Sequence, residues 1–142
     1  MEFTAVIEIG KGSYLKSEKN KETGVLMLDR VLPIPCPQNY GFIKDLPIQA
    51  DGDDLDVFVI SFEPLIPLSE VKVRIIGMLL CDDNGIEDNK CIGLIVDDFY
   101  KDYDHLKAIK FYLEHYKKGF SIKEYKVFND ELVFRNYVGG FK

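Results

Sequence analysis

The feature that most constrains the fold is a series of short apolar runs, each cut off by a turn signal. Phe3 to Ile9 alternates around Phe3, Ala5, Ile7 and Ile9 and stops at Gly10-Lys11-Gly12. Tyr14 to Glu18 is a weaker run, and Val25 to Val31 follows Thr23-Gly24, which predicts a hairpin. Leu55 to Ile60 is apolar throughout except at Asp56. Val71 to Leu80 sets Lys72 and Arg74 on the face opposite Val71, Val73 and Ile75, and Lys90 to Val96 closes the series. Strands at this spacing predict a closed barrel rather than alternating βαβ units. Helix enters late. Tyr103 to Lys118 places Leu106, Ile109, Leu113 and Tyr116 on one face. Asp102 and Asp104 at its start, Lys117 and Lys118 at its end and Gly119 beyond suit the helix dipole and a C-cap. Ser121 to Val127 reads as a further strand, and Asn129-Asp130 as the cap of a short helix ending before Gly139-Gly140.

Length and charge narrow the function. The 142 residues, without a repeat or linker, fit a single domain spanning 1–142 with a real core. Acidic residues outnumber basic ones by 24 to 18, which argues against a nucleic-acid partner. An acidic chain can still hold an anion if metal cations stand between them. Cys36, Cys81 and Cys91 lack CxxC spacing, so reduced thiols are expected rather than disulfides or zinc. Met1 to Gly10 does not read as a signal peptide, and no apolar stretch reaches the roughly 18 residues of a membrane span. A soluble, cytoplasmic protein without a membrane partner is expected.

The densest chemical signal is Asp51-Gly52-Asp53-Asp54-Leu55-Asp56, with four carboxylates in six residues. Gathering them costs free energy unless a cation is bound. Asp56 falls between Leu55 and Val57, where a solvated-face explanation works poorly. Carboxylate oxygens suit Mg²⁺, which bridges to phosphate oxygens. An EF-hand does not fit, because glycine is second rather than sixth and Phe62 stands at the twelfth position. By itself the segment reads equally well as an acidic surface turn. A second acidic loop, Asp82-Asp83-Asn84-Gly85-Ile86-Glu87-Asp88, links two strands and leads into Lys90. Two such loops could share one end of a barrel.

The run from Asp51 to Val57 resembles the DGDPxDV-type signature of the soluble family I inorganic pyrophosphatases, with Asp54 where the family usually has proline. Flanking segments extend the resemblance in order: Val6-Ile7-Glu8-Ile9, the pair Lys16 and Glu18, Thr23-Gly24 with Asp29-Arg30, and Asn39-Tyr40-Gly41-Phe42-Ile43. Asp83, Glu87-Asp88 and Lys90 follow, then Glu114-His115-Tyr116-Lys117 on the late helix. One departure is Cys36, four residues before Tyr40, where the family commonly has an aromatic near the substrate.

The resemblance implies a mainly β fold with flanking helices (α+β), built on a five-stranded OB-like β-barrel with the site at one mouth. It implies Mg²⁺-dependent hydrolysis of diphosphate, with several ions per site and other hard divalent cations as substitutes. By similarity, Asp51, Asp56 and Asp88 hold the first metal and Asp56 reaches a second. Asp83 and Asp88 take an ion arriving with substrate, and Glu8 another, largely through water. Asp53 accepts a proton from the nucleophilic water, which requires it to be ionised. Lys16, Arg30, Lys90 and Lys117 clamp the substrate with the hydroxyls of Tyr40 and Tyr116, and Glu18 orients Lys16 or water. A homo-oligomer, such as a hexamer, is implied as well.

Taken singly, these residues have plainer readings. Lys16 and Glu18 make a same-face surface pair, Arg30 a solvated strand end and Tyr40 a core aromatic with a wet tip. Tyr116 continues the apolar stripe, Lys90 and Lys117 are surface cations, and His115 is a surface histidine rather than a ligand. Only the joint match moves them toward function. A metal- and phosphate-binding module without turnover is the alternative, and an oligonucleotide-binding barrel the weakest reading.

Overall fold

The computed structural model of the chain describes residues 1–20, 22–96 and 105–139. Its strands run β1 (Glu2–Ile9), β2 (Leu15–Lys19), β3 (Leu26–Val31), β4 (Asn39–Ile43), β5 (Asp56–Ile60), β6 (Glu70–Asp83), β7 (Ile86–Glu87), β8 (Lys90–Ile95) and β9 (Phe120–Lys126). Helix α1 (His105–Tyr116) precedes β9, and α2 (Glu131–Gly139) follows it. The predicted capping by Asp102 and Asp104 lies outside the described residues.

Five strands close into a barrel in the order β1-β4-β5-β8-β6, with β6 returning to pair with β1. The neighbours are antiparallel except β5 and β8, which run parallel. This closure is the expected five-stranded barrel, flanked by two helices. The alternation read in β1 is the cause: Phe3, Ala5, Ile7 and Ile9 are buried, while the residues between them are not. β5 reads as continuous apolar sequence because both its faces are covered. Val57 and Val59 join one core with Phe128, Phe134 and Val138 around α2, whereas Phe58 and Ile60 join another with Ile109 and Leu113 of α1.

Alternation did not reveal β4, whose sequence is Asn39-Tyr40-Gly41-Phe42-Ile43. Its glycine is required by closure, since a Cβ at Gly41 would lie 1.8 Å from the Val6 carbonyl oxygen on β1. Asn39 is buried because it ties loops together. Its Oδ1 accepts from the backbone N–H groups of Lys11 and Leu65 at 2.9 and 2.7 Å, and its amide donates to Ser61 Oγ at 2.9 Å. β6 runs three residues past the expected Leu80, because β9 pairs along its far half.

The β2–β3 hairpin stands off the barrel as a separate two-stranded sheet. Its base is fixed by backbone hydrogen bonds from Gly12 N to Cys36 O, Cys36 N to Ser13 O and Leu32 N to Tyr14 O. The predicted cap of α2 is present: Asp130 Oδ1 accepts from the N–H groups of Leu132 and Val133 at 2.7 and 3.2 Å.

Candidate active site

Strand register places the acidic and basic residues at one barrel mouth. Asp56 opens β5 and lies opposite Lys90, the first residue of β8. Asp88 is two residues before Lys90, so an extended backbone carries both to the same face. The Lys90 ammonium donates to Asp56 Oδ2 at 2.6 Å, Tyr40 Oη at 2.9 Å and Asp88 Oδ1 at 3.0 Å. Asp51 completes the group from the loop before β5, where its Oδ1 accepts from the Asp53 N–H at 3.1 Å.

The carboxylates of Asp51, Asp56 and Asp88 offer oxygens that all lie within 4.8 Å of one another. Burial raises Asp51 above the usual carboxylate range, and Asp88 and Asp56 reinforce the shift. Burial also raises Asp56, although Lys90 opposes it. On Lys90 burial works downward, yet Asp56 and Asp88 hold the ammonium above its ordinary value. When all are ionised, three carboxylates against one ammonium leave two negative charges. An oxygen-only donor set with that excess fits a hard divalent cation.

The second acidic loop supplies Asp83. Asn84 and Gly85 have φ of 52° and 93°, the two left-handed residues of a type I′ hairpin between β6 and β7. The loop is fastened to the turn after α1, with Asn84 N donating to Gly119 O at 3.0 Å and Asn84 Nδ2 to Lys118 O at 3.5 Å, and the same amide holds Asp83 Oδ1 at 2.8 Å within the loop. Lys117 donates a short hydrogen bond to Asp83, which lowers the Asp83 carboxyl.

The hairpin faces this group from across the opening. Lys16 and Arg30 are directly opposed cross-strand partners beside a β-bulge at Lys16/Ser17. Like charges in that position repel. Among the described residues, Lys16 forms an ion pair with Asp29 at 3.4 Å. Two opposed cations on an exposed ribbon suit an anionic ligand better than they suit stability. On β1, burial pushes Glu8 up to about 7, with Lys16 pulling it down and Asp56, Asp29 and Glu18 pushing it further.

One cavity of about 740 Å³ is lined by all thirteen residues singled out above: Glu8, Lys16, Glu18, Arg30, Tyr40, Asp51, Asp53, Asp56, Asp83, Asp88, Lys90, Tyr116 and Lys117. Comparison with known proteins gives the fold and the site a family. The profile described as Inorganic pyrophosphatase matches residues 5–136. This chain belongs to the inorganic pyrophosphatase family. The soluble inorganic pyrophosphatase of Zea mays is 39% identical over 128 residues, covering 82% of this chain and 59% of the maize protein. The chain thus spans about three-fifths of the length of the curated plant relatives it matches. Among solved structures, the inorganic pyrophosphatase of Helicobacter pylori superposes with a TM-score of 0.83 at 30% identity, covering 96% of this chain and 91% of that one. The Thermus thermophilus inorganic pyrophosphatase gives 0.79 at 32% identity, covering 89% and 82%.

Within this pyrophosphatase-family cavity the structure also places residues that the sequence did not single out for function, among them Lys19, Asp54 and Tyr112. Tyr112 is buried with Ile109 and Leu113 on α1. Its position three residues after Ile109 and four before Tyr116 was the available signal. His115 points elsewhere: it stacks on the exposed Phe111 at 4.2 Å, as a surface histidine would. No helix among the described residues is long and apolar enough to cross a membrane.

Proposed function

We propose that this chain, acting as one domain over 1–142, hydrolyses diphosphate to two phosphates with Mg²⁺. The observation that carries the reading is the facing of a tight carboxylate group and a cationic set across one cavity. Its volume of about 740 Å³ suits a small ligand.

Asp51, Asp56 and Asp88 would hold a first cation and Asp56 would also reach a second; Asp83 and Asp88 would take a further ion arriving with substrate, and Glu8 another, largely through water. When bound, divalent cations there would polarise phosphoryl oxygens and make water more acidic. Asp53 takes the proton from the attacking water. Lys16, Arg30, Lys90 and Lys117 hold phosphoryl oxygens and offset the charge that builds on them, with Tyr40 and Tyr116 donating their hydroxyls. Arg30 offers a planar fork, whereas the lysines act as point charges. Glu18 orients Lys16.

The reading extends to a cytoplasmic homo-oligomer, a hexamer. Exposed apolar side chains support association, including Phe111 on α1, Leu132 and Val133 on α2, and Leu26, Met27 and Leu28 on the hairpin.

The test is phosphate release from diphosphate by the purified chain, with and without Mg²⁺, beside Asp53→Ala. Release that needs the metal and disappears in the variant supports the proposal. Tight diphosphate binding without release would instead make the chain a binding module.

A further inference from the structure

Among the polar groups of the cavity to which no role has been given, the Tyr112 hydroxyl belongs to a buried residue. Tyr112 is 4% exposed and lines the cavity one helical turn before Tyr116. Its ring is fixed: it stacks on Tyr116 at 4.8 Å between centroids and 9° between planes, and Phe58 meets it edge-on at 6.3 Å and 84°. The Tyr112 and Cys36 side chains lie close enough to shift each other's acidity, and the Cys36 thiol donates to the Gln38 carbonyl at 3.1 Å. Burial holds the phenol above its ordinary value, with Cys36 and Tyr116 adding to the shift, so it stays protonated as a donor. Arg30 pulls the other way, which puts its guanidinium within electrostatic reach of the oxygen.

A sulfur atom is a weak acceptor for a buried phenol. An anionic oxygen accepts about twice as strongly as a neutral one. The O–H can change partner by rotating about one bond, while the stacked ring stays in place. We propose that Tyr112 is a third substrate-binding phenol, which turns its hydroxyl from Cys36 Sγ to a phosphoryl oxygen beside Arg30. This assignment rests on the cavity being a diphosphate site.

Tyr112→Phe keeps the ring and its stacking and removes only the oxygen. Calorimetry with a methylene-bridged diphosphonate in Mg²⁺ is expected to show Kd raised on the order of tenfold. KM for diphosphate rises in step, kcat changes by less than about twofold, and the thermal midpoint is unchanged. Cys36→Ala removes the competing sulfur and tightens diphosphonate binding, and this gain vanishes in the Tyr112→Phe background. An unchanged Kd in Tyr112→Phe overturns the proposal, as does a Cys36→Ala gain that survives without the Tyr112 oxygen. Absence of phosphate release by the parent chain would count against hydrolysis alone, because the diphosphonate titration reads Tyr112 without turnover.

Discussion

The barrel wall and the β2–β3 hairpin bring opposite charges to one cavity, but they are built differently. In the wall, Asp56 and Lys90 are fixed by the β5–β8 ladder, and Val57 and Phe58 behind Asp56 are fully buried. On the hairpin, every residue of β3 is exposed and the two strands pair only with each other. A ribbon with so little buried apolar surface opens locally at lower free energy than a core strand. The lesson is that the carboxylate-bearing half is set by sheet register, whereas the half bearing Lys16 and Arg30 is positioned mainly at its stem. Lysines and arginines on an arm can adapt to a ligand, while carboxylates sharing an ion must already be in place.

The largest effect is expected in the wall. Asp56→Asn should cut phosphate release by on the order of 10³-fold, since the proposed metal site would lose a carboxylate. The metal-free thermal midpoint should not fall, because burial already outweighs Lys90 in holding this carboxyl above its ordinary range. A lower midpoint would break the view that the wall is strained until a cation binds. Core packing gives the next contrast. Phe58→Ala should cost about 3–5 kcal/mol in denaturant unfolding, against no more than about 0.5 kcal/mol for Val31→Ala, an exposed residue of the hairpin. Equal losses would mean that the hairpin is packed as firmly as the barrel.

The division between wall and arm also explains what the sequence revealed. Asp56 was legible because a carboxylate inside an apolar run has few innocent explanations. The strands β1, β5 and β8 followed from their apolar patterns. By contrast β4 was hidden, since Asn39 is buried for its hydrogen bonds and Gly41 for its closeness to β1; neither cause is local. Tyr112 fell outside the predicted apolar face of Leu106, Ile109, Leu113 and Tyr116, and only its cavity neighbours distinguish it. Physics alone did not bring Lys16 and Arg30 opposite Asp51 and Asp88. That required long-range closure, which family resemblance anticipated and hydropathy patterning did not.

A smaller effect should separate the arm from the wall. Arg30→Lys keeps the charge but loses the planar fork, so KM for diphosphate should rise by about tenfold with an unchanged thermal midpoint. A large stability loss would contradict an arm that contributes little to folding. The smallest effect concerns Glu8, between the two regions. Its folded pKa is raised from 4.5 to about 7. The metal-free fold therefore keeps a proton that the unfolded chain releases. This contribution to stability is present below about pH 4.5 and is lost as the pH rises toward 7. Chelator-treated protein should lose on the order of 1 kcal/mol over that window, after allowance for solvent screening, and Glu8→Gln should flatten the trend. A metal-free stability that instead rises through this window because of Glu8 would reverse the assigned cause.

The most direct test of the central claim is anomalous scattering from a crystal soaked in Mn²⁺ as a heavier substitute for Mg²⁺. The account predicts a strong peak in contact with the carboxylates of Asp51, Asp56 and Asp88, on the side that faces Arg30 and Lys16. Density confined to other acidic surface groups, with those three carboxylates untouched, would contradict it.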